Sequence, residues 1–395
     1  MQYPGADYEV VIAGGGPAGT SAAIHLAQQN VRVLLVEQKV FPRHKLCGEF
    51  ISPECTQHFE RLGVAGEMNA ASPALLNQTI FYSRHGRSVQ VPSQWFGSGG
   101  AMGLSRAMMD QNLMQRAKQV GVDVIENATV SGVLQSDNLV CGVRMKIDGV
   151  ELQRTALLTI DATGRKRILT RRLSTGSSSR AKWIAFKAHL TNTQVAPGVC
   201  EIYSYPGGYG GLSTIERGLS NLCFIVSAKH VRRFHSDTET VLRKTVLENR
   251  RAAKTLAGSM VQSDWLSVAL ESFGRQRPVP TAGLLAIGDS AAFIDPLTGS
   301  GMLMALESGE LAARTFVRYR NKLGRSSSLT DLSREYTQNY GSLFDRRLRT
   351  SGLLRRLAFN PQLAEAAILL TGASDRLRSR LARATRPNNS FSKVQ

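Results

Sequence analysis

An apolar strand that runs straight into a glycine cluster opens the chain: Tyr8-Glu9-Val10-Val11-Ile12-Ala13 leads into Gly14-Gly15-Gly16-Pro17-Ala18-Gly19. Nothing later in the sequence restricts the fold as much. A helix is expected over residues 17–29 and a second apolar strand over 31–36, ending on Glu37 with Gln38 beside it. A G-x-G-x-x-G turn between such a strand and such a helix is the pattern of a βαβ dinucleotide site. Gly14 permits the tight turn, Gly16 leaves room for a pyrophosphate against the backbone, and Gly19 lets helix and strand pack closely. Pro17 and Ala18 open the helix, whose free N–H groups and positive dipole end face the phosphates. Glu37 is positioned to accept hydrogen bonds from ribose hydroxyls.

At 395 residues the chain suits two or three packed units rather than one simple core. Its charge is unusual: 49 Lys and Arg against 30 Asp and Glu give a formal +19. Such an excess fits nucleic acid, an anionic membrane surface or an acidic substrate. No run is long and apolar enough to suggest a transmembrane helix, and a strand that begins at residue 8 leaves no room for a signal peptide. Five cysteines, without a C-x-x-C pair, do not make a disulfide framework, so a reducing cytoplasm is expected. Histidines at 25, 44, 58, 85, 189, 230 and 235 lack ligand spacing, and no metal site is expected. No G-x-S-x-G elbow is present.

Along the chain, an alternating stretch at 78–92 and strand-like runs at 181–228 flank a helix expected over 104–120. The later runs are split by an expected turn over 206–211, and 238–256 reads as one charged helix. Leu157-Leu158-Thr159-Ile160-Asp161 reads as a buried strand, and 284–287 as another that must return to the first unit. The expected fold is therefore α/β, with a discontinuous Rossmann-type domain interrupted by an inserted mixed β-sheet domain. The first comprises 1–75, 100–170 and 275–325 and the second, for substrate, 76–99 and 171–274. A helical region at 326–387 and a disordered tail at 388–395 complete the chain.

A second motif begins in the returning strand: Leu284-Leu285-Ala286-Ile287-Gly288-Asp289-Ser290, then Pro296-Leu297-Thr298-Gly299-Ser300-Gly301. The strand delivers Asp289 to its carboxyl end, where a carboxylate can bind a polyol chain. Gly299, Ser300 and Gly301 open the next helix, whose amides can face developing negative charge.

Together these residues resemble the large FAD-dependent family with the p-hydroxybenzoate hydroxylase fold, over about residues 7–320. A third motif, Arg106-Ala107-Met108-Met109-Asp110 with Leu113, looks like that family's R-x-x-x-D-x-x-L helix start. The resemblance implies that Arg106 contacts FAD; a helix start with an exposed arginine is the plainer alternative. A fourth, Phe41-Pro42-Arg43-His44-Lys45-Leu46-Cys47-Gly48-Glu49, resembles the K-x-C-G segment of the geranylgeranyl reductase branch. By that resemblance Arg43 and Lys45 neighbour the flavin or its phosphates, and Cys47 and Gly48 are the catalytic candidates beside the ring. Cys47 reads equally as a small buried hydrophobe. Gly288, Asp289, Pro296, Gly299, Ser300 and Gly301 join the implied cofactor residues.

The implied activity is reduction of C=C bonds in a prenyl or other lipophilic substrate by hydride from reduced FAD. The donor is left open between NAD(P)H and ferredoxin, a reductant protein. The alternatives are a flavin monooxygenase of lipophilic aromatics or polyketides, a non-redox flavin-dependent cyclase, and a flavoprotein without turnover. Hydroxylases of this fold carry an Asp-Gly pair where this chain has Asp161-Ala162-Thr163-Gly164-Arg165, with Thr163 replacing the aspartate. The W-x-W-x-I-P segment of flavin halogenases is absent. The substrate pocket is expected between flavin and inserted sheet, with Tyr203, Tyr205 and Tyr209 as liners or as sheet packing.

Ten arginines (346, 347, 349, 355, 356, 376, 378, 380, 383 and 386) face only Glu365 and Asp375 in the last helical stretch, with leucines interleaved. A basic amphipathic helix reads as a membrane-surface element, gaining roughly 1 kcal/mol per basic residue near anionic lipid. The rival reading is a solvated face packed on the FAD domain. Without a recognised module the charge does not indicate nucleic acid. Peripheral contact at the inner face of an anionic membrane stands beside that packed face as the second expectation.

Overall fold

Both faces of the first strand, Tyr8–Ala13, are apolar, so it lies inside a layered structure rather than at a surface. In the computed structural model, which describes residues 5–97, 100–171, 181–323 and 328–386, this strand is central to a parallel sheet. Val33–Val36 pairs on one side, followed by Asp123–Ile125; Val150–Asp161 pairs on the other, followed by Leu284–Ala286. Val10 and Ile12 point into a core shared with the helices Pro17–Ala27, Arg106–Gln119 and Gly301–Tyr319. Val11 and Ala13, with the opposite parity, pack under the hairpin Ala128–Ser136 and Leu139–Ile147.

Val150–Asp161 is one long strand serving two partners. Its first half pairs antiparallel with Leu139–Ile147, and its second half pairs parallel with the first strand. The buried strand expected over 157–161 is the second half of this longer element.

The inserted unit is an eight-stranded sheet. Met260–Val261, Trp183–Thr191, Ser220–Ser227, Gly208–Thr214, Val199–Tyr205, Gln78–Tyr82 and Ser88–Pro92 lie side by side, and Leu266–Leu270 also pairs with Trp183–Thr191. The fold is thus α/β, with a discontinuous Rossmann-type sheet, an inserted mixed sheet and C-terminal helices. The turn expected over 206–211 is confined to Pro206 and Gly207, because the glycines that follow serve a close strand contact. A side chain at Gly208 would lie 1.9 Å from the Ile225 carbonyl oxygen.

Residues 238–256 form two short helices, Thr238–Lys244 and Arg250–Thr255, rather than one. The Asn249 side chain caps the second by accepting from the Arg251 and Ala252 N–H groups at 3.0 and 3.1 Å. The C-terminal stretch divides into Ser328–Ala358, Pro361–Gly372 and Asp375–Ala384, with Asn360 and Ser374 capping the last two. The tail over 388–395, like Ser98 and Gly99 of the glycine-rich segment, lies outside the described residues.

Candidate active site

The glycine turn is built by contact. Gly14 adopts φ +109°, and a Cβ there would meet the Ala162 carbonyl oxygen at 2.4 Å; one at Gly19 would meet the Gly14 carbonyl oxygen at 1.9 Å. Gly16 differs. A Cβ there would find only Lys45 Nζ at 3.9 Å and Arg106 Nη2 at 4.0 Å. Two cations from distant segments thus converge on the one open glycine, at the N-terminus of a helix that no side chain caps. That arrangement fits a pyrophosphate.

A cleft of about 440 Å³ runs from this turn. Gly14, Gly16, Glu37, Gln38, Arg43, Lys45 and Asp289 line it, as do Thr163, Arg165, Lys166 and Arg167 from the end of the long strand. Glu37 is buried and oriented: the Gly15 N–H donates to Oε2 at 2.8 Å and the Lys39 N–H to Oε1 at 3.0 Å. Arg43 stands 3.4 Å from Oε1. Pro17, Ala18 and Gly19 are packed into the core rather than exposed to the cleft.

Arg106 is buried, not the exposed residue of a plain helix start. Its Nε and Nη2 reach the fully buried Asp110 at 2.8 and 2.6 Å. Burial opposes the guanidinium charge, but Asp110 outweighs it and holds Arg106 above its usual range. Lys45 has no such partner; burial, with Arg106 adding like charge, pushes it down to about 8.

A separate cavity of about 270 Å³ is chiefly apolar, with Phe50, Phe81, Val91, Ile202, Leu212 and Ile225 among its walls. The segment from Arg43 to Phe50 passes between the two spaces. Arg43, Lys45 and Leu46 line the cleft, whereas Gly48 and Phe50 line the cavity. The second motif does the same: Asp289 and Phe293 line the cleft, and Pro296, Leu297, Thr298 and Gly299 line the cavity. Ser300 is buried, with its hydroxyl 2.8 Å from that of Thr298, and Gly301 begins the helix behind it. Gly288 is packed against Ala18. Of the three tyrosines, Tyr209 lines the cavity, while Tyr203 and Tyr205 pack in the core on the far side of the sheet.

Cys47 lines neither space. Its sulfur accepts the Glu49 N–H at 3.4 Å, and its carbonyl accepts from Asn221 at 3.1 Å. Glu49 itself adopts φ +53°, uncommon for a non-glycine residue. Its fully buried carboxylate accepts from Lys187 Nζ and from the Arg106 N–H at 2.8 Å, and lies 2.7 Å from His189 Nε2. Lys187 also donates to the Lys45 carbonyl at 3.2 Å. Burial would raise the Glu49 carboxyl, but His189 and Lys187 outweigh it and hold it below the usual range.

Sequence reasoning passed over this cluster and one other pair. The signal for the first lay in Trp183–Thr191, where a lysine and a histidine two apart share one face of an otherwise apolar strand. The second pair is Asp295 and Tyr209: the buried Tyr209 hydroxyl donates to Asp295 Oδ1 at 2.6 Å. Burial raises both groups, and for Tyr209 the Asp295 charge adds to it. All five cysteines are free thiols, and no helix among the described residues is long and apolar enough to cross a membrane.

The chain is similar to digeranylgeranylglycerophospholipid reductase of Methanocella arvoryzae, 25% identical over 316 residues that cover 78% of this chain and 76% of that one. It is also similar to the 1H-pyrrole-2-carbonyl peptidyl-carrier protein brominase of Pseudoalteromonas luteoviolacea, 26% identical over 328 residues, 78% of this chain and 76% of that one. Among solved structures, a geranylgeranyl bacteriochlorophyll reductase-like protein of Thermoplasma acidophilum superposes with a TM-score of 0.81 at 20% identity, covering 98% of both chains. The family model described as FAD binding domain matches residues 7–320. Strand, glycine turn, cleft and that match agree: the chain belongs to the FAD binding domain family and is an FAD-dependent oxidoreductase.

Proposed function

We propose that this oxidoreductase reduces C=C bonds of a prenyl or similarly lipophilic substrate drawn from a membrane. One observation carries the reading. Two separate motifs pass from a polar, cation-lined cleft into an apolar cavity, so a cofactor held in the cleft would present its reactive end to an apolar chamber. The similarity to enzymes named as prenyl-lipid reductases, and the K-x-C-G segment, support the same substrate class.

When bound and reduced, FAD supplies hydride. The chain's residues bind, orient and exclude water. Lys45 and Arg106 would neutralise the cofactor's pyrophosphate, Glu37 and Asp289 would accept from its hydroxyl groups, and the helix opening at 299–301 would offer amides to its negative charge. Phe50, Ile202 and Ile225 exclude water around the substrate. Tyr209, kept neutral, is one of the proton-bearing groups at the cavity wall, with its hydroxyl donated to Asp295.

The test is product mass. Chemically reduced holoenzyme is incubated with unsaturated prenyl lipids, first anaerobically and then in air with bromide. Gain of hydrogen pairs without oxygen is the expected result. The brominase likeness supports a second reading, in which the product gains halogen. A product that gains one oxygen atom only in air supports a monooxygenase. Either outcome in place of hydrogen gain overturns the proposal.

A pH dependence follows from Lys45. It is charged below about 8 and neutral above, so affinity for an anionic pyrophosphate is lost as pH rises. From about pH 7 to about pH 9 the FAD dissociation constant should increase about tenfold, and Lys45→Met should flatten the profile. Titration of the apoprotein by flavin fluorescence checks this. A flat wild-type profile removes Lys45 from the phosphate contact.

A further inference from the structure

The helix Pro361–Gly372 is apolar on two opposite faces. Ala364, Ala367, Ile368 and Thr371 line the apolar cavity. Leu363, Ala366, Leu369 and Leu370 are exposed on the other side, Leu369 by 48% and Leu370 by 65%. An apolar helix face belongs in apolar surroundings, and among the described residues the protein covers one of these two faces. The neighbouring helices repeat the pattern. Ser328–Ala358 presents Leu354 and Leu357 to the cavity but exposes Arg349, Leu353 and Arg356. Asp375–Ala384 presents Leu381 and Ala382 to the cavity but exposes Arg376, Leu377, Arg380 and Arg383.

Five of the ten large apolar side chains exposed among the described residues fall within 353–377, so the patch is concentrated rather than scattered. Between 346 and 386 the carboxylates are Glu365 and Asp375, each already paired, with Arg87 at 2.8 Å and Arg378 at 2.7 Å. The exposed arginines therefore leave a net positive rim around exposed leucines.

We propose that the outward face of helix Pro361–Gly372, with the flanking arginines, seats on an anionic lipid bilayer, so that this helix is a wall shared by the substrate cavity and the membrane. The inference rests on the lipophilic-substrate reading and names the surface from which that substrate comes. Leucines enter the acyl boundary while arginines extend to the headgroups. A second copy on the same face would set like-charged arginines against each other, whereas an anionic bilayer complements them.

The test uses the full-length, FAD-loaded protein and sedimentation with two vesicle preparations. One contains phosphatidylglycerol with phosphatidylcholine and the other phosphatidylcholine alone. The protein should pellet with the first, stay in solution with the second, and be released from the first by high salt. Leu369→Glu combined with Leu370→Glu should lower the bound fraction about tenfold or more. Both residues are exposed and outside the cavity lining, so the variant should keep its FAD and its turnover of detergent-dispersed substrate.

Wild-type protein that stays in solution with anionic vesicles overturns the proposal. So does a variant that binds as tightly as wild type. Wild-type dimers that the variant loses, without vesicle binding, assign the face to a second copy instead. Vesicle binding and product mass are separate readouts, so docking stands on its own if the lipid gains no hydrogen.

Discussion

Replacing Glu49 by alanine is expected to destabilise the protein by about 3–5 kcal/mol and to weaken its hold on FAD. Lys187 is buried, and without Glu49 its remaining partner is the Lys45 carbonyl at 3.2 Å. An uncompensated buried ammonium is costly because the protein interior does not replace its lost hydration. The same change frees the segment that carries Lys45, Cys47 and Gly48, since Glu49 ties it to the inserted sheet through Lys187 and His189. Urea unfolding, with flavin content measured on the same samples, checks both effects.

Glu49→Gln combined with Lys187→Met is the informative control, because removing both charges costs far less than orphaning one. That double variant should recover to within about 1–2 kcal/mol of wild type. The acid side has a definite sign. The Glu49 carboxyl is held below its ordinary value of 4.5. Its contribution is therefore complete above that value and lost as pH falls through the lower folded-state value, so the Glu49→Ala deficit should shrink in strong acid. A Glu49→Ala protein as stable as wild type at neutral pH would dismiss the cluster as a paired unit.

Arg106→Ala should lower FAD affinity by about a hundredfold, or about 3 kcal/mol. Two effects act together. One of the two cations over Gly16 disappears, and Asp110, fully buried, loses its bidentate partner and adds unbalanced negative charge near the phosphates. Arg106→Lys keeps the charge but not the planar pair of hydrogen bonds, and should fall between wild type and Arg106→Ala. Arg106→Ala with Asp110→Ala separates folding from binding: stability should largely return, while FAD affinity should stay well below wild type. An Arg106→Ala protein that binds FAD within about threefold of wild type would place the pyrophosphate elsewhere.

The glycine turn was readable because strand, turn and helix are contiguous in sequence, so their spacing is displayed along one βαβ unit. At Gly19 the atom that presses in is the turn's own Gly14 carbonyl, whereas the Ala162 carbonyl that excludes a side chain at Gly14 comes from the end of a distant strand, and Gly16 is left open. The second motif could be read for the same reason, since a buried strand must end where its helix begins. The resemblance implied a role for Arg106 through a motif that includes Asp110; the burial of both was not legible, because it depends on what packs against that helix. The breaks in 238–256 and in the C-terminal helices were written in Asn249, Asn360 and Ser374, but capping residues look like surface polar residues until a backbone N–H is seen to meet them.

The glycine spacing and apolar periodicity by themselves determined the nucleotide-type α/β fold and the interruption by a second sheet, and the residue counts determined the excess positive charge, because these follow from local backbone geometry and composition. Tertiary structure alone decided which distant residues meet. Glu49 and Lys187, 138 positions apart, become a buried pair because the inserted sheet packs across the segment at 45–49. The helix at 361–372 becomes a cavity wall with an exposed apolar back because the chain after residue 320 folds over that sheet. Burial and the pairing of charges from distant segments are properties of the closed structure, and no spacing along the chain encodes them.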